Sequence, residues 1–342
     1  MNDALLWNKS DDGAVQCGLC AHRCRIGPGK YGLCSVRINE GGTLRTRVYG
    51  RAIAEHVDPI EKKPLYHFLP ASCTFSIAAP GCNFKCAFCQ NWSISQAGGL
   101  RISDNRANTY GRALPPQKAV EIAQKNGCES IAFTYTEPTI FFEYALDTAK
   151  IAKEAGLKTV MVSNGYMTRE CLEIIGPYID ACNIDLKSYS DTFYKDLCGA
   201  SLQQVLENLT LIRAMEIWLE VTTLVISGVN DTYAELSAIA QFIYRELGPN
   251  VPWHVSKFIP QYHMANRSAT EDAAIVKAVK IGHESGLLNV YAGNVNVDVA
   301  KDTVCPGCGV AVITRRGYRT DKRGLEGEKC KGCGVKISGV FV

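Results

Sequence analysis

Cys82, Cys86 and Cys89 stand at C-x3-C-x2-C spacing in the run Cys-Asn-Phe-Lys-Cys-Ala-Phe-Cys. Three thiolates can hold a metal but cannot close a site around it. Structural zinc is enclosed by four protein ligands, whereas a metal that does chemistry keeps one position open. A cubane iron-sulfur cluster takes four thiolates, so three would leave one iron free to bind something else. The chemistry implied is that of a centre that meets its cofactor or substrate directly. It requires a strand leading into the loop and later elements that wall the open side.

Two further cysteine sets come in fours. Cys305-Pro-Gly-Cys308 and Cys330-Lys-Gly-Cys333 are paired knuckles, close to the C-x2-C…C-x2-C spacing of zinc sites, and predict a zinc ribbon. Cys17, Cys20, Cys24 and Cys34 lie among glycines that permit tight turns, with His22 as a spare ligand. Four thiolates can saturate zinc, but softness alone does not separate zinc from iron-sulfur, so structural zinc and a second cluster both stand. Of the remaining cysteines Cys73, Cys128, Cys171, Cys182 and Cys198, Cys182 reads as core of a strand and Cys198 falls in a loop.

The elements that must position the central triad are legible as short apolar runs alternating with helical stretches, the pattern of βα units around a parallel sheet. A first strand over about 74–80 runs straight into Gly81 and Cys82. A helix over 115–126 stops at Gly127, a strand follows over 130–134, and the next helix closes on Gly156. Further strands are predicted over 158–162, 181–184, 219–225 and 254–259, with 289–292 as a possible extra edge. Glu137, Asn164, Asp185, Lys187 and His263 each follow one of these strands. Residues at the carboxyl ends of parallel strands converge on one mouth. Taken singly, Glu137, Asn164 or Asp185 could simply cap the following helix.

The fold class is therefore α/β, a partial (β/α)6 barrel over 70–299. A cysteine-rich N-terminal module and an extended polar linker precede it over 1–69, and the zinc ribbon follows over 300–342. The formal net charge is +3 in 342 residues, which gives no global pull toward nucleic acid or an anionic membrane. Residues 300–342 carry nine Lys and Arg against four Asp and Glu, including Arg315, Arg316, Arg319, Lys322 and Arg323. Few aromatics interleave for base stacking, so a solvated hairpin is expected there and not a nucleic-acid surface. No apolar run of membrane-spanning length and no leader pattern at the start are seen, and a cytoplasmic location with reduced thiols is expected.

The C-x3-C-x-aromatic-C run, with Phe88 before the third cysteine, resembles the signature of radical S-adenosylmethionine (SAM) enzymes. Together with Tyr135-Thr136-Glu137-Pro138-Thr139 and the C-terminal knuckles, residues 80–92 resemble the group related to pyruvate formate-lyase-activating enzyme, most closely the radical SAM component of the AmmeMemoRadiSam system. The resemblance implies a 4Fe-4S cluster on Cys82, Cys86 and Cys89, with SAM on its free iron. SAM would be cleaved reductively to methionine and a 5'-deoxyadenosyl radical that abstracts hydrogen from an unidentified small molecule or partner protein. It implies Glu137, Asn164, Asp185, Lys187 and His263 as SAM contacts, and a reductant such as flavodoxin or ferredoxin. No catalytic residue is implied beyond the cluster. Where the family has Gly-Gly-Glu-Pro, this chain has Tyr135-Thr136-Glu137-Pro138, and its Pro-x-His segment is matched by Pro260 and His263 with one extra residue. Activation of a glycyl-radical enzyme is the alternative activity, and a non-catalytic zinc-stabilised scaffold the further one.

Overall fold

A computed structural model describes residues 2–96, 111–295 and 299–342. At its centre is a sheet of eight strands, β1 (Ala54–Pro59), β2 (Cys73–Ala78), β3 (Ser130–Phe133), β4 (Lys158–Ser163), β5 (Ala181–Asp185), β6 (Trp218–Val225), β7 (Trp253–Lys257) and β8 (Val290–Gly293). In space they lie in chain order, with β2 to β8 parallel. All six expected core strands are present, and the run near 290 is a seventh parallel strand. Among the described residues the edges β1 and β8 do not pair with each other, so the sheet is open.

Parallel strands are covered on both faces and read as apolar runs, and β3 is buried at every position. The crossovers are helices α1 (Pro116–Lys125), α2 (Phe142–Glu154), α3 (Arg169–Ile175), α4 (Leu202–Ala214), α5 (Tyr233–Phe242) and α6 (Asp272–Glu284). Proline opens α1, where its missing N–H costs nothing. Thr168 and Thr232 cap α3 and α5 by accepting from the N–H of Cys171 and Glu235.

The stretch expected as an extended linker contains β1, which pairs antiparallel with β2 from Ala54 opposite Ala78 to Pro59 opposite Cys73. Only Ala54, Val57 and Pro59 interrupt its polar residues Glu55, His56 and Asp58. It belongs at an edge, where one side of the strand meets solvent.

The N-terminal module packs small antiparallel strands against the core. Arg37 is buried and ion-paired with Glu143 of α2, whose Oε1 also accepts from the N–H of Leu5 at 2.7 Å. Thr168 receives the module from the other side, its Oγ1 donating to the carbonyl of Gly18 at 2.8 Å.

The C-terminal ribbon has its own small core of Cys305, Val312, Ile313, Leu325, Cys330, Ile337 and Phe341. Arg315, expected within a solvated basic face, is instead buried. Its Nη2 donates to the carbonyl of Tyr66 at 2.6 Å, and its guanidinium lies 4.2 Å from the Tyr66 ring centre.

His67 forms the second tie to the ribbon. Its ring nitrogens face the Ser338 carbonyl and the Tyr291 hydroxyl, each at 2.6 Å. Burial holds His67 down at about 4, although the Glu220 charge works to raise it. The unfolded chain therefore takes up a proton near pH 6.5 that the folded chain refuses. Stability is complete above pH 6.5 and is lost as pH falls toward 4, by about 3 kcal/mol. Urea unfolding at pH 7 and pH 4.5 should show a smaller pH effect for His67→Gln than for the unmodified chain.

Candidate functional site

Residues 80–91 leave the carboxyl end of β2 and carry the central triad. Cys82, Cys86 and Cys89 line one cavity of about 320 Å³. Lys62 and, from the cysteine loop, further residues join them, and the facing wall comes from the ends of the following strands: Thr134 to Glu137 after β3, Ser163 and Asn164 at β4, Asp185 and Lys187 at β5, Thr222 and Leu224 on β6, and Ser256 on β7. Its size falls within the range of small-molecule sites, roughly 300–1,000 Å³.

The loop's aromatics turn inward as anchors. Phe84 and Phe88 are buried, with Phe84 edge-on to Tyr166 at 5.1 Å and Phe88 against Phe193 at 5.6 Å. Its peptides are fastened from outside. Lys85 N–H donates to the Cys198 carbonyl at 2.9 Å, and Ala87 N–H donates to the Leu197 carbonyl at 2.8 Å. Both acceptors lie in the π-helical turn Tyr194–Cys198. The sulfurs also receive partners: Phe84 N–H points at Cys82 Sγ at 3.4 Å, and Ser95 Oγ lies 3.3 Å from Cys89 Sγ. Such donors suit thiolates that bind metal.

Burial, and next the Glu137 charge, push the Cys82 thiol well up, while burial raises Cys89. Cys86 moves the other way, lowered first by a hydrogen bond from Cys198 and also by the Lys187 charge. Cys198, whose place in a loop gave no clue to its partner, is thus a further buried thiol beside the triad.

Glu137 is 2% exposed, and its carboxylate is fully engaged. One oxygen accepts from Thr139 N–H (3.0 Å), Thr139 Oγ1 (2.6 Å) and Ser163 Oγ (2.8 Å), and the other accepts from Asn164 N–H at 2.8 Å. Burial raises its pKa while these donors oppose the shift. It caps the short helix Pro138–Phe141 and ties β3 to the end of β4. Asn164 donates its side-chain N–H to Asn83 Oδ1 at 2.8 Å, tying β4 to the cysteine loop. Lys187 donates to Asp185 at 2.7 Å. Burial would lower Lys187, but Asp185, Cys86 and Cys198 outweigh it and hold the ammonium well above the ordinary lysine range.

His263 is not brought together with the others. It is exposed and does not line the cavity, its ring lies tilted against that of Tyr262 with centres 3.8 Å apart, and its backbone N–H holds the Ala87 carbonyl at 3.0 Å. Tyr135, where the resemblance has glycine, takes a left-handed φ of 64°. Its hydroxyl bonds to Asp58, Lys63 Nζ lies 4.4 Å from the ring centre, and Asn91 Nδ2 donates to its carbonyl at 2.7 Å. These contacts hold a backbone that usually requires glycine. Asn83, Asn91 and Ser95 are site residues that spacing alone did not single out.

At the ribbon, Cys305, Cys308, Cys330 and Cys333 bring their sulfurs within 4.8 Å of one another. Cys305 and Cys333 are 3.5 Å apart, and Cys308 and Cys330 are 3.7 Å apart. Gly307 and Gly332 N–H groups point at Cys305 and Cys330 sulfurs at 3.4 and 3.3 Å. The four lie together as ligands of one ion do. The N-terminal Cys17, Cys20, Cys24 and Cys34 line a separate small cavity.

Comparison with known proteins gives the same reading of the core. The radical SAM superfamily profile matches residues 76–243. An uncharacterized protein of Methanocaldococcus jannaschii is 40% identical over 339 residues, 98% of this chain and 99% of that one. An isethionate sulfite-lyase activating enzyme of Nitratidesulfovibrio vulgaris is 30% identical over 138 residues, 39% of this chain and 44% of the relative. The structure of Streptococcus suis SuiB bound to S-adenosylmethionine shares the fold at a TM-score of 0.51 and 15% identity, over 69% of this chain and 53% of that one.

Gly81 fixes where the loop begins. Its φ is +100°, and a Cβ there would lie 2.8 Å from Val36 Cγ1 and 2.9 Å from the Cys34 carbonyl oxygen. Gly81→Ala should therefore destabilise the fold by about 2–4 kcal/mol and lower iron content after anaerobic reconstitution. Denaturant unfolding and iron analysis check both effects.

Proposed function

The chain belongs to the radical SAM superfamily, and on that footing we propose that Cys82, Cys86 and Cys89 hold a 4Fe-4S cluster and that the cavity they line takes S-adenosylmethionine. The observation that carries this reading is the set of three sulfurs, one short of a closed site, facing polar groups from the ends of several parallel strands. The chemistry such a cluster and SAM supply when bound is reductive scission to methionine and a 5'-deoxyadenosyl radical, which takes hydrogen from the substrate.

The chain's own groups bind and orient. Lys187, fixed by Asp185, offers a point charge for the SAM carboxylate. Glu137 and Asn164 spend most of their hydrogen-bonding capacity on protein partners, so they act as positioning residues that hold the strand ends and the cysteine loop in register. The buried aromatics Phe84 and Phe88 exclude water behind the triad. His263 acts through the Ala87 carbonyl instead of through a ligand contact. The partial-barrel curvature expected from the family goes with this arrangement.

The electron comes from a low-potential donor of the flavodoxin or ferredoxin kind, and the substrate is a small molecule or a residue of a partner protein. Glycyl-radical activation is the second reading, favoured by the 30% identity with an activating enzyme. The AmmeMemoRadiSam type is the closest resemblance of the motifs at 80–92 and 135–139. No helix among the described residues is long and apolar enough to cross a membrane.

Anaerobic reconstitution with iron and sulfide, followed by dithionite and SAM, should yield 5'-deoxyadenosine by mass spectrometry, and Cys82→Ala should reduce it to background. Absence of product from the unmodified chain, or an unchanged yield in Cys82→Ala, would sink the reading.

At the ribbon we propose one zinc ion. Its four sulfurs have the closeness that bonds of about 2.3 Å to a shared ion impose. Cys308→Ser should remove about one zinc per chain and lower the unfolding temperature of the ribbon, while cluster absorbance is kept.

A further inference from the structure

On the radical SAM reading of the cavity, on which this proposal rests, we infer that Lys62 forms a subsite for an anionic group, a carboxylate or a phosphate, of the molecule that gives up hydrogen there.

Among the described residues the charged side chains in the cavity wall are Lys62, Glu137, Asp185 and Lys187. Glu137 is saturated by protein donors, and Asp185 and Lys187 are paired with each other. Lys62 differs in origin and in state. It ends the short helix Ile60–Lys62, which follows the edge strand β1, and β2, β3 and β4 lie between that edge and the strand that carries Asp185. Its Nζ donates to Asp58 Oδ1 at 2.8 Å, and Asp58 is its one hydrogen-bond partner among the described residues. An ammonium has three donors, so two remain, and they sit at the tip of a side chain that is 43% exposed.

Asp58 holds that ammonium in place without neutralising the group around it. Its Oδ2 accepts from Lys63 Nζ at 2.7 Å, from Ser76 Oγ at 2.8 Å and from the Tyr135 hydroxyl. One carboxylate therefore serves two ammonium groups, which leaves a positive charge in excess. Lys63 is the buried member, its side chain 1% exposed, so Lys62 presents the excess to a ligand. Burial works to raise Asp58, but the hydrogen bonds from Lys62, Lys63 and Tyr135 outweigh it and hold the carboxyl well below its usual range. The neighbouring acid Glu61 is engaged elsewhere: its Oε1 accepts from the Ala71 N–H at 2.8 Å, and it lines a separate hollow with Tyr318 and Thr320.

Tyr135 is the second, independent observation. It stands in the cavity wall at a φ of 64°, and its side chain is spent on this same group, the hydroxyl on Asp58 and the ring 4.4 Å from Lys63 Nζ. Strained non-glycine residues persist where their surroundings over-determine them, and they cluster at ligand sites. A glycine here would relieve the strain, but it would take a donor from Asp58 and the ring from Lys63. Lys62 and Lys187 thus offer two separate points of attachment, so an anionic substrate and the SAM carboxylate do not compete for one cation.

The test uses the full chain, reconstituted anaerobically with iron and sulfide and supplied with SAM. Amine acetylation is followed by mass spectrometry of the peptide that carries Lys62. Inorganic phosphate and acetate are the probes, each compared with chloride at equal ionic strength, and the exposed Lys118 is the internal control. At a probe concentration about twice its dissociation constant, labelling of Lys62 should slow about threefold while Lys118 is unaffected. The probe that protects more strongly identifies the group, phosphate or carboxylate. As a second readout, the protecting probe should raise the unfolding temperature above its value in chloride by more in the unmodified chain and in Lys62→Arg than in Lys62→Met. Labelling of Lys62 that neither probe slows, slowing shared equally by Lys118, or an equal rise in Lys62→Met overturns the inference. Failure of the radical SAM reading shows differently, as no 5'-deoxyadenosine from a chain whose Lys62 is still protected.

Discussion

A loop that must keep three sulfurs turned toward a cavity cannot use those side chains to fasten itself, so its backbone is fastened by others. The N–H groups of Lys85 and Ala87 are held by a π-helical turn, the Ala87 carbonyl by His263, and the Asn83 carbonyl by His22. Each partner comes from a different part of the chain, one from the N-terminal module, one from beyond β5 and one from beyond β7. Buried peptide groups demand such partners. Meeting that demand makes the cysteine loop the place where N-terminal module and sheet are locked to each other.

The same logic explains how the polar residues at the strand ends divide their labour. Glu137 and Asn164 sit in the cavity wall, yet their hydrogen bonds go mostly to protein: Glu137 to Thr139, Ser163 and the Asn164 backbone, Asn164 to Asn83 and Tyr166. The capping role that their residue types suggest and a functional role are therefore compatible in one side chain. Lys187 differs: it is held by Asp185 at 2.7 Å beside Cys86 and Cys198, and it stands in the cavity wall.

Much of this was legible from spacing. The parallel strands announced themselves as apolar runs ending in polar residues, and the ribbon cysteines, read as paired knuckles, bring their sulfurs together. What escaped did so for physical reasons. β1 is an edge strand whose polar residues break the apolar signature. Tyr135 adopts a glycine-like backbone only because Asp58, Lys63 and Asn91 hold it, and none of them is near in sequence. Arg315 counted as surface charge until tertiary packing placed it over Tyr66. Cys198 gave no sign of its neighbour Cys86, since the contact spans more than a hundred residues and depends on a π-helical turn.

The absence of a side chain at Gly81 also bears on how the protein matures. The N-terminal module leaves the ribosome before the sheet exists, and its Cys34 carbonyl must later close against Gly81. Once it has closed, the triad faces the cavity bounded by the strand ends. On the proposed reading, whatever the three thiols hold would be loaded after folding from the side that the strand ends bound, so assembly and turnover would share one opening.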